Sequence, residues 1–270
     1  MLSVIISTYN QPAWLELALR GYAAQTFTDF EVVVADDGSG PDTRALLDRL
    51  RASLPFPLRH VWHEDDGFRK TIILNRALTA SVGDYLVFTD GDCIPRADFL
   101  AQHATLRRPG HFLSGGYYKL PAGLSAAITP ADVASQRCFD LAWLRARGLP
   151  RTIKNLKLSA RGRTADLLNR LTPTRATWNG MNASGWRTDL VAANGFDERM
   201  QYGGEDRELG ERLRNAGLRA RQIRYRAVCL HLHHGRGYVT PDMLARNAAI
   251  RAATRREGRV RTAFGLDRSE

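Results

Sequence analysis

Three things are scarce in this 270-residue sequence: long apolar runs, cysteine, and acids over two extended stretches. No window approaches the ~18 consecutive apolar residues of a helical membrane span. The opening "MLSVIISTYN" has neither a basic n-region nor a cleavage site, so no signal peptide is expected. The three cysteines, Cys93, Cys138 and Cys229, are odd in number, far apart and form no CxxC pair. That usage argues against a disulfide framework and for a reducing, cytoplasmic setting. Acids nearly vanish from residues 145–175, where Asp166 stands alone against Arg145, Arg147, Arg151, Lys154, Lys157, Arg161, Arg163, Arg170 and Arg175. Residues 246–261 repeat the imbalance, with six arginines against Glu257. The net charge of +11 suits an anionic partner, whether nucleic acid, anionic lipid or a phosphorylated substrate; a plain solvated basic face is the alternative.

What is present alternates. "LSVIIS" (2–7), "FEVVVAD" (30–36), "LRHVW" (58–62) and "DYLVFTD" (84–90) are short apolar runs, the first two and the last rich enough in branched and aromatic residues to be buried strands. Between them lie helical spacings: Leu15, Leu19 and Tyr22 after Asn10 as a cap and Pro12 in the first turn; Leu46, Leu47 and Leu50 within 41–54; Ile73, Leu74, Ala77 and Leu78 within 70–81. Strand–helix alternation of this length predicts βαβ units and a mostly parallel sheet. Ligands bind at the carboxyl ends of such strands. Each strand here ends in polar residues: Ser7, Thr8 and Tyr9; Asp36 and Asp37; Asp90 and Asp92. Further on, strands are expected over 111–120 and 224–234, and helices over 130–147 and 205–216, the latter with Leu209 and Leu213 inward.

Five constellations carry chemistry. Asp36 and Asp37 precede a Gly38–Ser39 turn; they either serve that turn and cap or offer a carboxylate to a base's ring N–H. Arg69 and Lys70 open a helix, where cations oppose the macrodipole, so an anion or base nearby would rationalise them. Asp90-Gly91-Asp92 places two acids one glycine apart, a pattern suited to Mg²⁺ or Mn²⁺ holding a diphosphate. Glu205 and Asp206 open a helix after Gly203-Gly204, as caps or as a general base aimed into a cleft. "HLHH" puts three of the seven histidines in four residues; on a continued strand His231 and His233 would face one way and His234 the other. Imidazole beside carboxylates favours Mn²⁺ over Mg²⁺.

The ordered set "VIISTYN", "QTFTDFEVVVADDGS", "DGFRK…LNRAL", "FTDGDCIP", "NGFDERMQYGGEDRELGERL" and "HLHH" resembles the inverting GT-A glycosyltransferases of family two. Its second half is most similar to the β-galactosyltransferase and chondroitin polymerase branch. The resemblance covers about 1–120 and 178–235. It implies a single Rossmann-like α/β domain over 1–270: a mixed, mostly parallel sheet flanked by helices. Residues 1–110 would bind the nucleotide sugar, 111–235 the acceptor, with a basic insert at about 145–177 and a basic helical tail at 236–270. Carried over, Ser7, Tyr9, Asp36, Asp37, Arg69, Asp90 and Gly91 would line the donor site. Asp92, His231 and Asp90 would hold Mn²⁺ or Mg²⁺. Asp206 would be the catalytic base beside Glu205, and Glu205, Tyr202, Asn182 and Trp186 would meet the acceptor. Tyr202 stands where related enzymes often carry tryptophan. The implied activity is transfer of a sugar, with UDP the expected nucleotide, to a glycan or lipid-linked saccharide in bacterial surface polysaccharide synthesis. The setting would be the cytoplasm, at the inner face of the plasma membrane if the basic segments meet anionic lipid. A nucleotidyltransferase would want a glycine-rich phosphate loop after the first strand, which "STYNQPAW" lacks. A basic nucleic-acid binder would leave the Asp/His set unexplained.

Overall fold

In the computed structural model, residues 1–235 and 239–268 are described; the parts of the expected tail at 236–238 and 269–270 lie outside them. The four apolar runs are strands β1 (Leu2–Thr8), β2 (Phe30–Asp36), β3 (Leu58–Trp62) and β4 (Tyr85–Asp90). β1 is parallel to β2 and β4, and β2 is parallel to β3. Side chains alternate between two cores. Val4, Ile6, Val32, Val34 and Val87 pack with helices Pro12–Ala23 and Pro41–Arg51 on one face. Ile5, Val33, Ala35, Leu86 and Phe88 pack with helices Lys70–Ala80 and Glu205–Asn215 on the other. A sheet covered on both faces needs apolar residues at every position, hence the unbroken runs.

β5 (Cys93–Pro95) leaves this sheet and joins a second one, of order β5-β10-β7, with β7 at Gly116–Lys119 and β10 at Val228–His231. β6 (His111–Ser114), β8 (Ala183–Trp186) and β9 (Arg219–Gln222) complete the large sheet, of order β3-β2-β1-β4-β8-β6-β9, in which β8 is antiparallel to β4 and β6. The small sheet has its own core, to which Leu144 and, from the basic insert, Leu149 and Leu158 contribute. The insert buries Leu149 and Leu158 but leaves Ile153, Leu156, Leu167 and Leu171 exposed, the last two on the helix Gly162–Leu171.

Some boundaries differ from the sequence pattern. The strand expected over 111–120 is split between the two sheets at Gly115. A Cβ on Gly115 would lie 1.9 Å from Asn182 Oδ1, and one on Gly116 2.1 Å from the Arg224 carbonyl, so the chain crosses here only without side chains. The helix expected over 130–147 is broken into short pieces, with Gln136 left-handed (φ 58°) and Asp140 capping a new turn through Trp143 N–H. Asn10 does not cap the first helix. It is left-handed itself (φ 47°) and its side-chain oxygen accepts from Gly40 N–H.

Candidate active site

The parallel register sets Thr8 beside Asp36 and Ser7 beside both Ala35 and Asp90, so three polar strand ends share one rim. On that rim Asp36 is fully buried and spent: it accepts from Ser39 N–H (2.9 Å) and meets His60 Nε2 (2.8 Å). It holds the turn, and is not exposed to a ligand as the resemblance implied. Asp37 takes His63 Nε2 on one oxygen (2.8 Å) and Arg69 N–H on the other (3.1 Å). Burial raises its carboxyl, opposed by His63 and the Arg69 N–H. Tyr9 presents a half-exposed ring with its hydroxyl donating to Asp65 (2.9 Å), and the Arg69 guanidinium donates to Asp66 (2.6 Å). This rim sets the buried Asp37 carboxylate, held by His63 and the Arg69 N–H, near the exposed Tyr9 ring.

The two acids of "DGD" part company because the chain changes sheet between them. Gly91 N–H donates to the Ser7 carbonyl (2.7 Å), and a Cβ there would sit 3.2 Å from that oxygen. Asp90 stays with the large sheet, where Ser7 Oγ and Lys70 Nζ both donate to Oδ1, each at 2.6 Å. Burial alone would raise the Asp90 carboxyl; the Lys70 ammonium overrides it and holds the group below the usual range. Asp92 faces the small sheet, with Oδ2 at 3.0 Å from His234 Nε2 and 3.6 Å from His231 Nε2. These three ligand atoms lie within 4.8 Å of one another. Asp90 lies outside this group, contrary to its expected ligand role, because Lys70 and Ser7 occupy its inward oxygen.

β10 ends at His231, so strand alternation does not extend to His233 and His234. The chain turns, and the His231 and His234 rings stack at 5.3 Å while His233 is exposed. Each stacked ring has Nδ1 at 2.8 Å from a carbonyl, of Leu232 and Gly235 respectively. A carbonyl only accepts, so Nδ1 of each ring carries a hydrogen, and each Nε2 is the nitrogen that faces Asp92. Two imidazole nitrogens and a carboxylate oxygen oriented in this way fit a borderline divalent cation such as Mn²⁺.

Glu205 and Asp206 open the helix Glu205–Asn215 after Gly204, which is left-handed (φ 89°). Glu205 accepts from Gly203 N–H (2.9 Å). Asp206 accepts from Gly180 N–H (2.8 Å) and from Arg207 N–H (2.7 Å). Burial pushes the Glu205 carboxyl up to about 6, helped by the Asp206 charge. Burial also raises Asp206, opposed by the two N–H donors and Lys70. The Lys70 ammonium is itself raised: burial would lower it, and Asp90, Glu205 and Asp206 together reverse that. Lys70 thus stands between the strand-end acids and the helix-end acids. Tyr202 packs edge-on to Phe68 (5.8 Å) at the same mouth.

Two residues expected at the acceptor lie elsewhere. Asn182 is fully buried; it donates to the Gly116 and Ala227 carbonyls and meets His103, fastening the crossing at Gly115. Trp186 pairs with Tyr85 at the start of β4, and Asp90 is its last residue. Because β8 runs antiparallel, Trp186 sits at the opposite end of the sheet, about 17 Å away at ~3.3 Å per residue. Conversely, nothing in the local sequence pattern marks the single histidines His60 and His63, which meet Asp36 and Asp37. Their role depends on β3 lying beside β2 in a register that places Val34 opposite His60.

Residues 3–107 match the family described as Glycosyl transferase family 2. The chain is 32% identical over 236 residues to validoxylamine A glucosyltransferase of Streptomyces hygroscopicus subsp. jinggangensis, covering 81% of this chain and 52% of that protein. It is 26% identical over 247 residues to chondroitin synthase of Escherichia coli, covering 82% of this chain and 33% of that protein. The chain thus spans about half the length, or less, of these relatives. The structure is similar to the mannosyltransferase PcManGT of Pyrobaculum calidifontis in complex with GDP-Man and Mn²⁺, with a TM-score of 0.57 at 24% identity over 88% of this chain and 58% of that one. It is also similar to S. aureus TarS 1–349 in complex with UDP-GlcNAc, with a TM-score of 0.60 at 18% identity over 93% and 65% of the two chains.

Proposed function

The chain belongs to glycosyl transferase family 2 through residues 3–107 and has the GT-A fold, and from that premise we propose that it is an inverting, metal-dependent glycosyltransferase. Its donor is a nucleotide sugar, UDP-linked, and its acceptor a saccharide hydroxyl. The observation that carries this reading is the convergence of Asp92, His231 and His234, from segments about 140 residues apart in sequence, beside a second acidic pair at Glu205 and Asp206 bridged through Lys70.

Asp37 would accept the base's ring N–H, oriented by His63 and the Arg69 N–H, with the Tyr9 ring as a stacking face. Asp92, His231 and His234 would hold the divalent cation. When bound, such a cation supplies Lewis-acid neutralisation of the leaving diphosphate. Asp206 has its oxygens aimed by two backbone N–H groups, so it is pre-set to take the proton from the acceptor hydroxyl. As that proton leaves, the acceptor oxygen bonds to the anomeric carbon. The bond from that carbon to the phosphate oxygen breaks with its electron pair, inverting the centre. Glu205, with its carboxyl near 6, sits beside Asp206 to meet the acceptor's neighbouring hydroxyls.

The test is a panel of sugar nucleotides with Mn²⁺, read by thermal shift and by release of nucleoside diphosphate. Asp206→Asn should keep binding and lose roughly 10²–10⁴ in turnover; turnover at the parent rate would refute the assignment. The acceptor we infer is a growing surface glycan, lipid-linked and made at the cytoplasmic membrane face. The helix Gly162–Leu171 supports this, exposing Leu167 and Leu171 beside Arg163 and Arg170. Each cation near an anionic surface contributes ~1 kcal/mol. Equal sedimentation with anionic and neutral vesicles would remove the lipid contact while leaving the transferase reading intact. Among the described residues no helix is long and apolar enough to cross a membrane.

A further inference from the structure

We propose that Lys70 is a positioning residue that joins the donor half of the cleft to the acceptor half, its ammonium keeping the Asp206 carboxylate ionised and therefore able to accept a proton. The inference rests on the reading that Asp206 receives the acceptor's proton.

Lys70 is the first residue of its helix, where a cation opposes the macrodipole. Helix chemistry gives no reason for it there, so its reason is tertiary. The side chain is largely withdrawn from water, at 18% exposure, and its Nζ has three hydrogens. One goes to Asp90 Oδ1, an oxygen that Ser7 Oγ also uses. On the other side lies Gly180. A Cβ built on Gly180 would lie 3.8 Å from Lys70 Nζ and 3.9 Å from Asp206 Oδ2. The ammonium and the carboxylate therefore flank one small space that Gly180 leaves open, next to the oxygen that Gly180 N–H already holds.

Among the described residues, the charged groups around Asp206 come from its own helix, from helix Lys70–Ala80 and from β4, while Arg251 of helix Pro241–Arg256 reaches Gly204 at the start of the Asp206 helix and pairs with Glu211. Its own helix supplies Glu205, a like charge, and Arg207, which is exposed. Helix Lys70–Ala80 supplies Lys70, and β4 supplies Asp90, whose charge Lys70 also offsets. Without the ammonium, three carboxylates would share one buried mouth. Like charges in such a place cannot all ionise, and one of them binds a proton near neutral pH. An Asp206 that is already protonated has no place for the acceptor's hydrogen.

The test needs no substrate. Carboxyl-¹³C aspartate spectra would be titrated in the parent, Lys70→Met, Lys70→Gln and Lys70→Arg proteins, with Asp206→Asn identifying the Asp206 resonance. An opposite charge within about 4–6 Å moves a carboxyl by about one unit or more. The midpoint of Asp206 should therefore rise by about one pH unit in Lys70→Met and Lys70→Gln, a tenfold gain in proton affinity, and stay near the parent value in Lys70→Arg. A purely structural lysine would leave the midpoint in place in whichever neutral variant folds, and that result overturns the proposal. An Asp206→Asn protein that still turns over would instead defeat the general-base reading, with the midpoint shift unaffected.

Discussion

Glu205 lends itself to a prediction that requires no knowledge of donor or acceptor. Its carboxyl is raised from 4.5 to about 6, by burial first and by the neighbouring Asp206 charge second. The folded state therefore disfavours the carboxylate. Above pH 6 the group is charged in both folded and unfolded chains, and the fold carries the cost; below about 4.5 it is neutral in both, and the cost is gone. A shift of that size amounts to about 2 kcal/mol, at ~1.4 kcal/mol per unit. Glu205→Gln removes the charge and keeps an amide oxygen to accept from Gly203 N–H. The variant should melt roughly 4–8 °C above the parent at pH 8, taking ~2–4 °C per kcal/mol for a chain of this size. The gain should shrink as pH falls through 6 and vanish by about 4.5. It should also shrink in an Asp206→Asn background, where the second cause is absent. Thermal melts at half-unit intervals from pH 4 to 8 would show this. A difference that is the same at every pH would mean that charge burial is not what separates the two proteins, and the account of this carboxyl pair would fail.

Two further outcomes follow from the same geometry. His231→Ala and His234→Ala should each weaken Mn²⁺ binding, measured by titration with electron paramagnetic resonance, by more than the roughly 10–100-fold that loss of an outer-shell partner costs. His233→Ala should not, since His233 is exposed and among the described residues its backbone N–H donates to Ser125 while its ring is outside the Asp92–His231–His234 group; equal losses at all three would contradict the stacked pair as the ligands. Glu208→Ala should destabilise the fold by about 3–5 kcal/mol. It strands Arg212, which is wholly buried and otherwise donates to the Ala193 and Gly195 carbonyls. Urea unfolding would report it, and a loss under 1 kcal/mol would show that the buried pair is dispensable.

Much of the fold was legible residue by residue. β2 and β3 occupy the spans that their apolar runs mark, β1 exceeds its run by one residue and β4 begins one residue into its run. The helices after Pro12, Pro41 and Lys70 begin where expected. "HFLSGGYYKL" reads as one strand, but Asn182 and Arg224 approach Gly115 and Gly116 too closely for any side chain, and the chain changes sheet there. Of the candidate site, Asp37 meets His63 and Arg69, Asp92 faces His231 and His234, and Asp206 accepts from Gly180 and Arg207, whereas Asp36 and Asn182 are consumed by hydrogen bonds inside the protein and Trp186 lies at the far end of the sheet.

By itself, the sequence determined the alternation of elements and the polar residues that end each strand, since side-chain period, proline and glycine act over a few neighbours. Only the tertiary structure decided which acid does what. Asp90 and Asp92 are two residues apart, yet one is claimed by Lys70 in the large sheet and the other by His231 and His234 in the small one. That division follows from the chain crossing between sheets at Gly91, and a crossing is fixed by contacts distant in sequence, which no local pattern records.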